Sequence, residues 1–209
     1  MNDVAHQVNI VQRRVSVRLV ESQWARTQTM SRVYAAAVEE VWNACTNPER
    51  ISRWFLPVSG DLRLGGRYQL EGNAGGTIES CDPPVAFSAT WEHGGDLSWI
   101  EVRLLPEPAG GTRFELEHVA HVTDARWAEF GPGATGVGWD LGLHSLARHL
   151  DAGEEGAPTD DEAWLASDEG KEFMALSSRR WCLASIAAGT NPAEAEAAAA
   201  RTTAAYTGD

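Results

Sequence analysis

The sequence predicts an α+β fold in which a curved antiparallel sheet lies against one amphipathic helix. Through most of the first two thirds of the chain, short segments with strand periodicity follow one another with turn residues between them. Such closely spaced strands pair with antiparallel neighbours, because a parallel crossover needs a dozen or more residues. Residues 139–150 then place Trp139, Leu143, Leu146 and Leu150 at helical spacing. That apolar stripe needs a sheet to pack against.

The composition predicts one globular domain with a helical extension. The 209 residues are 43% hydrophobic and 22% charged, which is enough for a packed core. The formal net charge of −13 disfavours nucleic acid and anionic membranes as partners, because both attract an excess of Lys and Arg. No run of about 18 apolar residues occurs, and the three scattered cysteines form no CxxC pair. We therefore expect a cytoplasmic protein without membrane insertion.

The first elements are an extra strand or ordered arm, a strand, two short helices and a hairpin, at residues 8–19, 27–34, 38–45, 49–54 and 61–70. The second short helix has the clearest start signal, because Asn47 is a good helix cap and Pro48 suits the first helical position. In the hairpin, the pair Gly65 and Gly66 separates a strand at 61–64 from a strand at 67–70.

Four more strands follow, at residues 77–81, 85–92, 97–105 and 112–121. Their separators are rich in Gly, Pro and Asp, as turns are. Alternation places the apolar side chains of each strand on one face: Val85, Phe87, Ala89 and Trp91; Ile100, Val102 and Leu104; Phe114, Leu116, His118 and Ala120. The opposite face carries charged residues such as Glu115 and Glu117. The sheet therefore has a solvated side and an apolar side, and the late helix belongs on the apolar side.

The late helix follows a glycine-rich run, GPGATGVG, which predicts a flexible loop. Within the helix, Asp140, His144 and Arg148 face away from the apolar stripe. The same glycine run spells GxGxxG, the pattern of a dinucleotide site. Such a site needs a strand directly before its first glycine, and the preceding run, DARWAEF, is helical or irregular. No nucleotide cofactor is expected.

The C-terminal segment predicts helices that are too few to build a core of their own. Residues 159–162 match a capping box, and helical periodicity runs on to Gly189. Asn191 and Pro192 then start an alanine-rich helix that ends at Gly208. We divide the chain into an N-terminal arm or extra strand (1–26), a sheet-and-helix domain (27–152), and an acidic linker with a C-terminal helical extension (153–209). The extension suggests a homodimer through the C-terminal helices.

The titratable residues point to neither a metal nor a nucleophile. His118 and His121 face opposite sides of a strand, and His144 and His149 diverge on a helix, so no metal site is expected. No GxSxG elbow occurs, and Cys45 lies in an ordinary helical setting. His118 stands out because it lies on the apolar face, where an imidazole needs a hydrogen-bond partner. It is either a structural core histidine or a polar handle for a ligand.

Several runs in order resemble one known family. They are SRVYAAAVEEVWNACTNPERISRWFLPVSGDLRLGGRYQLEG, GTIESCDPPVAFSATWEHGG and LSWIEVRLLPEPAGGTRFELEH. These resemble the bacterial START-like (SRPBCC) superfamily, and within it the family named after the activator of the heat-shock protein 90 ATPase. The likeness covers about residues 27–150. It implies a helix-grip fold, in which the sheet wraps around a long C-terminal helix and two short helices close one end.

The resemblance implies lipid carriers, hormone receptors, polyketide cyclases and chaperone-binding modules as relatives, and no shared catalytic motif. We expect a lipid-like or polyketide-like apolar or aromatic small molecule to bind in a cavity between sheet and helix. The alternatives are a small-molecule enzyme of the cyclase or hydrolase type and a chaperone-related protein-interaction module. The predicted ligand-binding residues are Trp42, Trp54, Phe55, Tyr68, Phe87, Trp91, Phe114, His118, Trp139, Leu143 and Leu146. No catalytic residue is assigned.

Overall fold

The computed structural model describes residues 4–20, 22–153 and 161–208. The helices are α1 Val4–Asn9, α2 Val38–Thr46, α3 Pro48–Trp54, α4 Asp124–Phe130, α5 Gly133–Ala152, α6 Asp161–Ala166, α7 Asp168–Ala187 and α8 Pro192–Thr207. The strands are β1 Gln12–Val20, β2 Gln23–Tyr34, β3 Val58–Gly60, β4 Arg67–Leu70, β5 Gly75–Asp82, β6 Ala86–His93, β7 Asp96–Pro106 and β8 Thr112–Ala120.

The eight strands form one curved antiparallel sheet in the order β1-β2-β8-β7-β6-β5-β4-β3. From β3 to β8 each strand pairs with the next strand in the chain, as the short turns predict. The register places Ala89 of β6, Ile100 of β7 and His118 of β8 side by side on one face. The predicted α+β fold class is confirmed.

The chain divides into two compact units. We call one the sheet unit; it contains residues 31–121 and the end of α5 from residue 145. We call the other the helical unit; it contains residues up to 30, residues 122–144 and the described chain from residue 161. Strand β2 and helix α5 therefore each run from one unit into the other. The domain boundaries drawn from the sequence, after residues 26 and 152, stay a prediction.

The two short helices predicted in the sheet unit are present as α2 and α3. The Asn47 side chain accepts a hydrogen bond from the Glu49 backbone N–H at 2.9 Å, and Pro48 takes the first helical position. Both features follow from the sequence, because Asn satisfies an orphan donor and Pro has no N–H to leave unpaired. Helix α2 contacts β7, and α3 contacts β3.

The hairpin lies earlier than predicted. Residues 61–64 were expected to form its first strand, but that strand is β3, with Gly60 opposite Tyr68 of β4. Gly60 has a φ of 103°, and a Cβ there would meet the Arg67 carbonyl oxygen at 2.3 Å. Only glycine fits that conformation and that close approach, so the strand ends at Gly60 rather than at the later glycine pair.

The two faces of the sheet differ as predicted. On β7 the side chains of Ile100, Val102 and Leu104 are buried, while those between them belong to Glu101 and Arg103, which pair at 2.7 Å. Val85 is the exception, because it is 45% exposed. Its assignment to the apolar face was wrong: it precedes β6 and lies in a turn, where its N–H donates to the Asp82 carbonyl at 2.7 Å.

The N-terminal segment of the helical unit begins with a helix that the sequence pattern did not predict. Helix α1 contacts α7, and Val8 and Val11 are buried. The loose alternation at residues 8–19 corresponds to β1 from Gln12 onward. The strand interpretation is therefore confirmed for most of that range, and the first two residues of it belong to α1.

The glycine-rich run is helical, so the flexible loop expected there is wrong from Gly133 onward. Helix α5 begins at Gly133 because glycines allow its neighbours to approach closely. A Cβ on Gly136 would lie 2.3 Å from the Trp181 ring of α7, and a Cβ on Gly133 would lie 3.0 Å from Thr202 of α8. Packing at these positions overrides the low helix propensity of glycine.

Helix α5 also buries two of the three residues predicted to face away from its apolar stripe, Asp140 and His144. Asp140 is 1% exposed, and its Oδ2 accepts hydrogen bonds from Arg13 Nε at 2.9 Å, Ser177 Oγ at 2.5 Å and Trp181 Nε1 at 3.0 Å. Burial raises the pKa of Asp140, and Arg13 and the other donors oppose that rise. His144 is buried against the rings of Trp164 and Phe173, with its ring centroid 5.1 Å from each of theirs. This second face is buried because α7 and β1 supply partners for it.

The C-terminal helices follow the predicted course, with one interruption. Ser167 separates α6 from α7 and caps α7 by accepting from the Gly170 N–H at 3.2 Å. Asn191 caps α8, Pro192 is its first residue, and Gly208 ends it with a φ of 75°. Thr159 and Asp160, the first two residues of the expected capping box, and most of the acidic linker lie outside the described residues.

Candidate functional site

The sheet unit contains a row of aromatic rings that joins α3 to two strands of the sheet, β6 and β8. Trp54 ends α3, and its ring centroid lies 5.4 Å from that of Phe55. Phe55 lies 6.5 Å from Trp91 of β6, and Trp91 lies 6.4 Å from His118 of β8. We call these four side chains the aromatic row. The Trp54 Nε1 donates to the Ala44 carbonyl at 2.9 Å, which fixes the indole against α2.

A second aromatic pair lies beside the row. Trp42 of α2 packs edge-on against Phe87 of β6, with the ring centroids 6.0 Å apart. Phe87 and Trp91 share one face of β6 because they are four residues apart on a strand. The small side chain of Ala89 lies between them on that face and is buried. Six of the predicted ligand-binding residues therefore form two adjoining aromatic groups.

These rings are only partly buried. Trp42, Trp54, Phe55, Phe87 and Trp91 all keep part of their surface exposed. The aliphatic residues behind them, such as Ile100 and Val102, are buried. Large aromatic side chains that touch one another and still remain accessible form a surface on which a flat apolar molecule can stack.

His118 is the polar member of the row. Ser98 Oγ lies 3.0 Å from the Trp91 carbonyl oxygen and 2.8 Å from His118 Nε2. Since a carbonyl only accepts, the Ser98 hydroxyl donates to it, and His118 Nε2 therefore carries a proton and donates to Ser98. Burial lowers the pKa of His118 to about 4, so the imidazole is neutral at pH 7.

Three other predicted site residues of the sheet unit are core residues. Phe114 is 4% exposed and packs against Tyr34 with the ring centroids 6.2 Å apart. Tyr68 is buried, and its hydroxyl donates to the Thr90 carbonyl at 2.7 Å, so the hydroxyl has a hydrogen-bond partner within the protein. Leu146 of α5 is completely buried. Their assignment to a ligand site stays a prediction.

Trp139 and Leu143 belong to the helical unit. Trp139 is partly exposed, and Leu143 is 4% exposed. Both lie on the predicted apolar stripe of α5. Their part in ligand binding also stays a prediction.

A buried charged cluster in the sheet unit was missed by the sequence analysis. Arg50 of α3 is 6% exposed; its Nε and Nη2 lie 3.2 and 3.1 Å from His149 Nε2, and Nη2 donates to Glu40 Oε1 at 2.7 Å. Arg50 Nη1 donates to Asn43 Oδ1 at 3.1 Å. Burial, followed by the charges of Arg50 and Arg53, lowers the pKa of His149, while Glu40 opposes this. The cluster joins α2, which holds Trp42, and α3, which holds Trp54, to the end of α5.

Three features of the described residues bear on other kinds of site: a buried thiol, the placement of metal-ligating side chains and the hydropathy of the helices. Burial raises the pKa of the Cys45 thiol to about 12, so a thiolate nucleophile is disfavoured at neutral pH. Within residues 4–20, 22–153 and 161–208, no three His, Cys, Asp or Glu side chains come together as metal ligands. No helix in the same ranges is long and apolar enough to span a bilayer.

Comparison with known proteins identifies related sequences and structures. The family model described as Activator of Hsp90 ATPase homolog 1-like protein matches residues 35–151. The crystal structure of CalU16 from Micromonospora echinospora is 33% identical, with 86% of this chain and 99% of CalU16 covered and a TM-score of 0.65. The solution structure of CalU16 gives 34% identity, coverage of 86% and 97%, and a TM-score of 0.68. No curated protein matches the sequence.

A more distant structure supports the fold alone. DynU16, from the dynemicin biosynthetic locus, is 21% identical over 62% of this chain and 48% of its own, with a TM-score of 0.51. The likeness agrees with the helix-grip architecture predicted from the sequence.

Proposed function

This chain belongs to the family of Activator of Hsp90 ATPase homolog 1-like proteins, and on that premise we propose that it binds an apolar or aromatic small molecule against the aromatic row. The ligand is lipid-like or polyketide-like, with a flat or extended apolar body. The family supplies a helix-grip fold, and fold alone does not select a function. The proposal is therefore carried by the side chains of the sheet unit.

The single observation that carries it is the partial exposure of rings that contact one another. A purely structural cluster would bury its aromatic rings, since burying a large side chain stabilises a core by about 1.5–3 kcal/mol. Phe55 and Trp91 are instead in contact and still accessible. A ligand that stacks on these two rings removes their remaining apolar surface from water, and this favours binding.

The polar atoms of the row favour an uncharged ligand. The Trp54 N–H is already bonded to Ala44, and the His118 Nε2 proton is bonded to Ser98. The His118 imidazole is neutral at pH 7, because burial lowers its pKa to about 4. A charged group placed here would lose its hydration without gaining an opposite charge in the row, which is costly.

A binding titration tests the proposal. The neutral fluorescent probe N-phenyl-1-naphthylamine is titrated into the wild type, into Trp91→Leu and into the matched control Trp99→Leu. Trp99 is also a partly exposed tryptophan, but it lies on the opposite face, because its neighbour Ser98 pairs with Trp91. We expect Trp91→Leu to raise the probe Kd by about tenfold, equivalent to about 1.4 kcal/mol, and Trp99→Leu to leave it unchanged.

Two results would contradict the proposal. One is the absence of saturable probe binding to the wild type. The other is an equal weakening by both tryptophan substitutions, which would mean that the probe binds outside the row. Circular dichroism of each variant separates lost binding from lost folding.

An enzyme of the cyclase or hydrolase type is the second candidate, because a neutral imidazole lies within the row. His118 would then act as the general base. Its low pKa makes it a weak base, since the most effective catalytic pKa lies near the working pH. Turnover that persists unchanged in His118→Ala would remove that role.

A further inference from the structure

Strand β1 forms one edge of the eight-stranded sheet. It is nine residues long, from Gln12 to Val20, and only β2 pairs with it in the strand order. An edge strand of this length presents a row of backbone N–H and C=O groups that another strand can pair with. The opposite edge, β3, has only three residues and offers a much shorter row.

The C-terminal end of β1 also exposes large apolar side chains. Val17 is 56% exposed and Leu19 is 60% exposed. They share a face with Arg13, whose guanidinium lies 2.8 Å from Asp140 of α5, so they point to the side on which α5 lies. Trp24 of β2 is 69% exposed and shares a face with Gln28, which donates to the Pro132 carbonyl just before α5. The three side chains therefore form an apolar patch on the helix side of the β1–β2 edge.

We propose that β1 pairs antiparallel with β1 of a second copy of this chain, with the twofold axis passing through Val17. In this register Val17 faces Val17 of the partner copy, and Val15 faces Leu19. Arg18 faces Ser16, and Arg14 faces Val20. Directly opposed apolar side chains on one face each stabilise a strand pair by roughly 0.2–1 kcal/mol. The pairing completes the backbone hydrogen bonds of the edge and brings the exposed apolar side chains of both copies together.

The charged residues of β1 select this register. A shift by two residues one way places Arg14 opposite Arg18, and a shift the other way places Arg18 opposite itself. Both arrangements oppose like charges directly, which destabilises a strand pair. A shift by one residue would turn the apolar face of one copy to the solvated face of the other. Among these registers only the one centred on Val17 avoids both faults. A register centred on Val15 also opposes no arginines, but it places the exposed Leu19 opposite Val11, which is buried and lies outside β1.

The twofold pairing also explains why the assembly stops at two copies. Pairing β1 with itself is isologous, so each dimer uses up both of its long edges and the contact closes. Pairing β1 with β3 would instead be head-to-tail and would extend into a filament. The three residues of β3 make that alternative weak.

Engineered disulfides test the register. In a Cys81→Ser background, which removes the exposed native thiol, Val17→Cys places two thiols opposite each other, with Cβ atoms about 4.5–5.5 Å apart. Mild oxidation should then give a covalent dimer on a non-reducing gel. The matched control is Leu19→Cys, on the same face and similarly exposed. Its thiols lie four residues apart along the paired strands, about 13 Å, which is too far for a disulfide.

Sedimentation velocity tests the assembly itself. We expect the wild type to form a dimer with a Kd below about 100 µM. Val17→Lys, which opposes two ammonium groups on the axis, should raise that Kd at least tenfold. Leu183→Lys, at a 48% exposed residue of α7, should leave the Kd unchanged. A monomeric wild type would overturn the proposal. So would a dimer that Leu183→Lys dissociates and Val17→Lys does not, because that result would favour a dimer through the C-terminal helices. Equal cross-linking of Val17→Cys and Leu19→Cys would overturn the register.

Discussion

The buried imidazole of His118 makes a quantitative prediction about stability and pH. Burial lowers its pKa from 6.5 to about 4 in the folded chain. The unfolded chain therefore binds a proton at a higher pH than the folded chain does. Above about pH 6.5 neither state is protonated at His118, and the free energy of unfolding has its full value. It falls as the pH drops from 6.5 to about 4, because the unfolded chain takes up the proton first. A shift of this size corresponds to about 3 kcal/mol, since each pKa unit is worth about 1.4 kcal/mol.

The perturbation is His118→Gln, which removes the titrating group and keeps an N–H donor for Ser98. We expect the free energy of unfolding of the wild type to fall between pH 7 and pH 4 by about 3 kcal/mol more than that of the variant. Urea unfolding at several pH values measures both curves. His149, whose pKa is also lowered, contributes to both and cancels in the difference.

A second variant separates burial from hydrogen bonding as the cause. Ser98→Ala removes the partner of His118 Nε2 and leaves the imidazole buried. Because burial is the cause of the shift, the imidazole should still titrate well below 6.5 in an NMR titration of its ring protons. Titration of His118 near 6.5 in the wild type would refute the reasoning. Recovery of an ordinary pKa in Ser98→Ala alone would assign the shift to the hydrogen bond.

Three further predictions concern stability and are checked by urea unfolding. Gly136→Ala should destabilise the chain by about 1–3 kcal/mol, because the new Cβ would meet the Trp181 ring at 2.3 Å. The control Gly138→Ala should be tolerated, because its Cβ would lie 3.3 Å from the nearest atom, the Tyr206 hydroxyl. Equal losses of stability would contradict the close packing at Gly136. Asn47→Ala should cost about 1 kcal/mol through loss of the α3 cap, and no loss would mean that the cap is dispensable. Asp140→Asn should cost about 3–5 kcal/mol, because it leaves the buried Arg13 without its opposite charge, and a stable variant would contradict that pairing.

The sequence was a good guide where local chemistry decides the structure. The Asn47–Pro48 helix start and the alternation along β7 and β8 depend on residues within a few positions of one another. These signals are short-range, so one chain is enough to recognise them. Alternation on β6 likewise places Trp91 of the aromatic row and the neighbouring Phe87 on the apolar face.

The errors came from partners that are distant in the chain. The glycines at the start of α5 predicted a loop because nothing near them shows that Trp181 packs on Gly136. Asp140 was placed on a polar face because its partner Arg13 is 127 residues away. The same holds for Arg50, whose contact with His149 spans 99 residues. Tertiary packing decides these positions, and helical spacing alone does not report it.

The glycine-lined start of α5 has a consequence for any shortened form of this protein. The first half of the helix contains Gly133, Gly136, Gly138 and Gly142, which together weaken it by roughly 4 kcal/mol relative to alanine. Its close neighbours include Trp181 and Thr202, which lie beyond the segment that the family model matches. Excising residues 35–151 as a minimal domain would strip the support from a helix that cannot easily stand by itself. Family members that lack such a tail should carry bulkier residues at the corresponding positions, so the glycines and the tail should be gained or lost together.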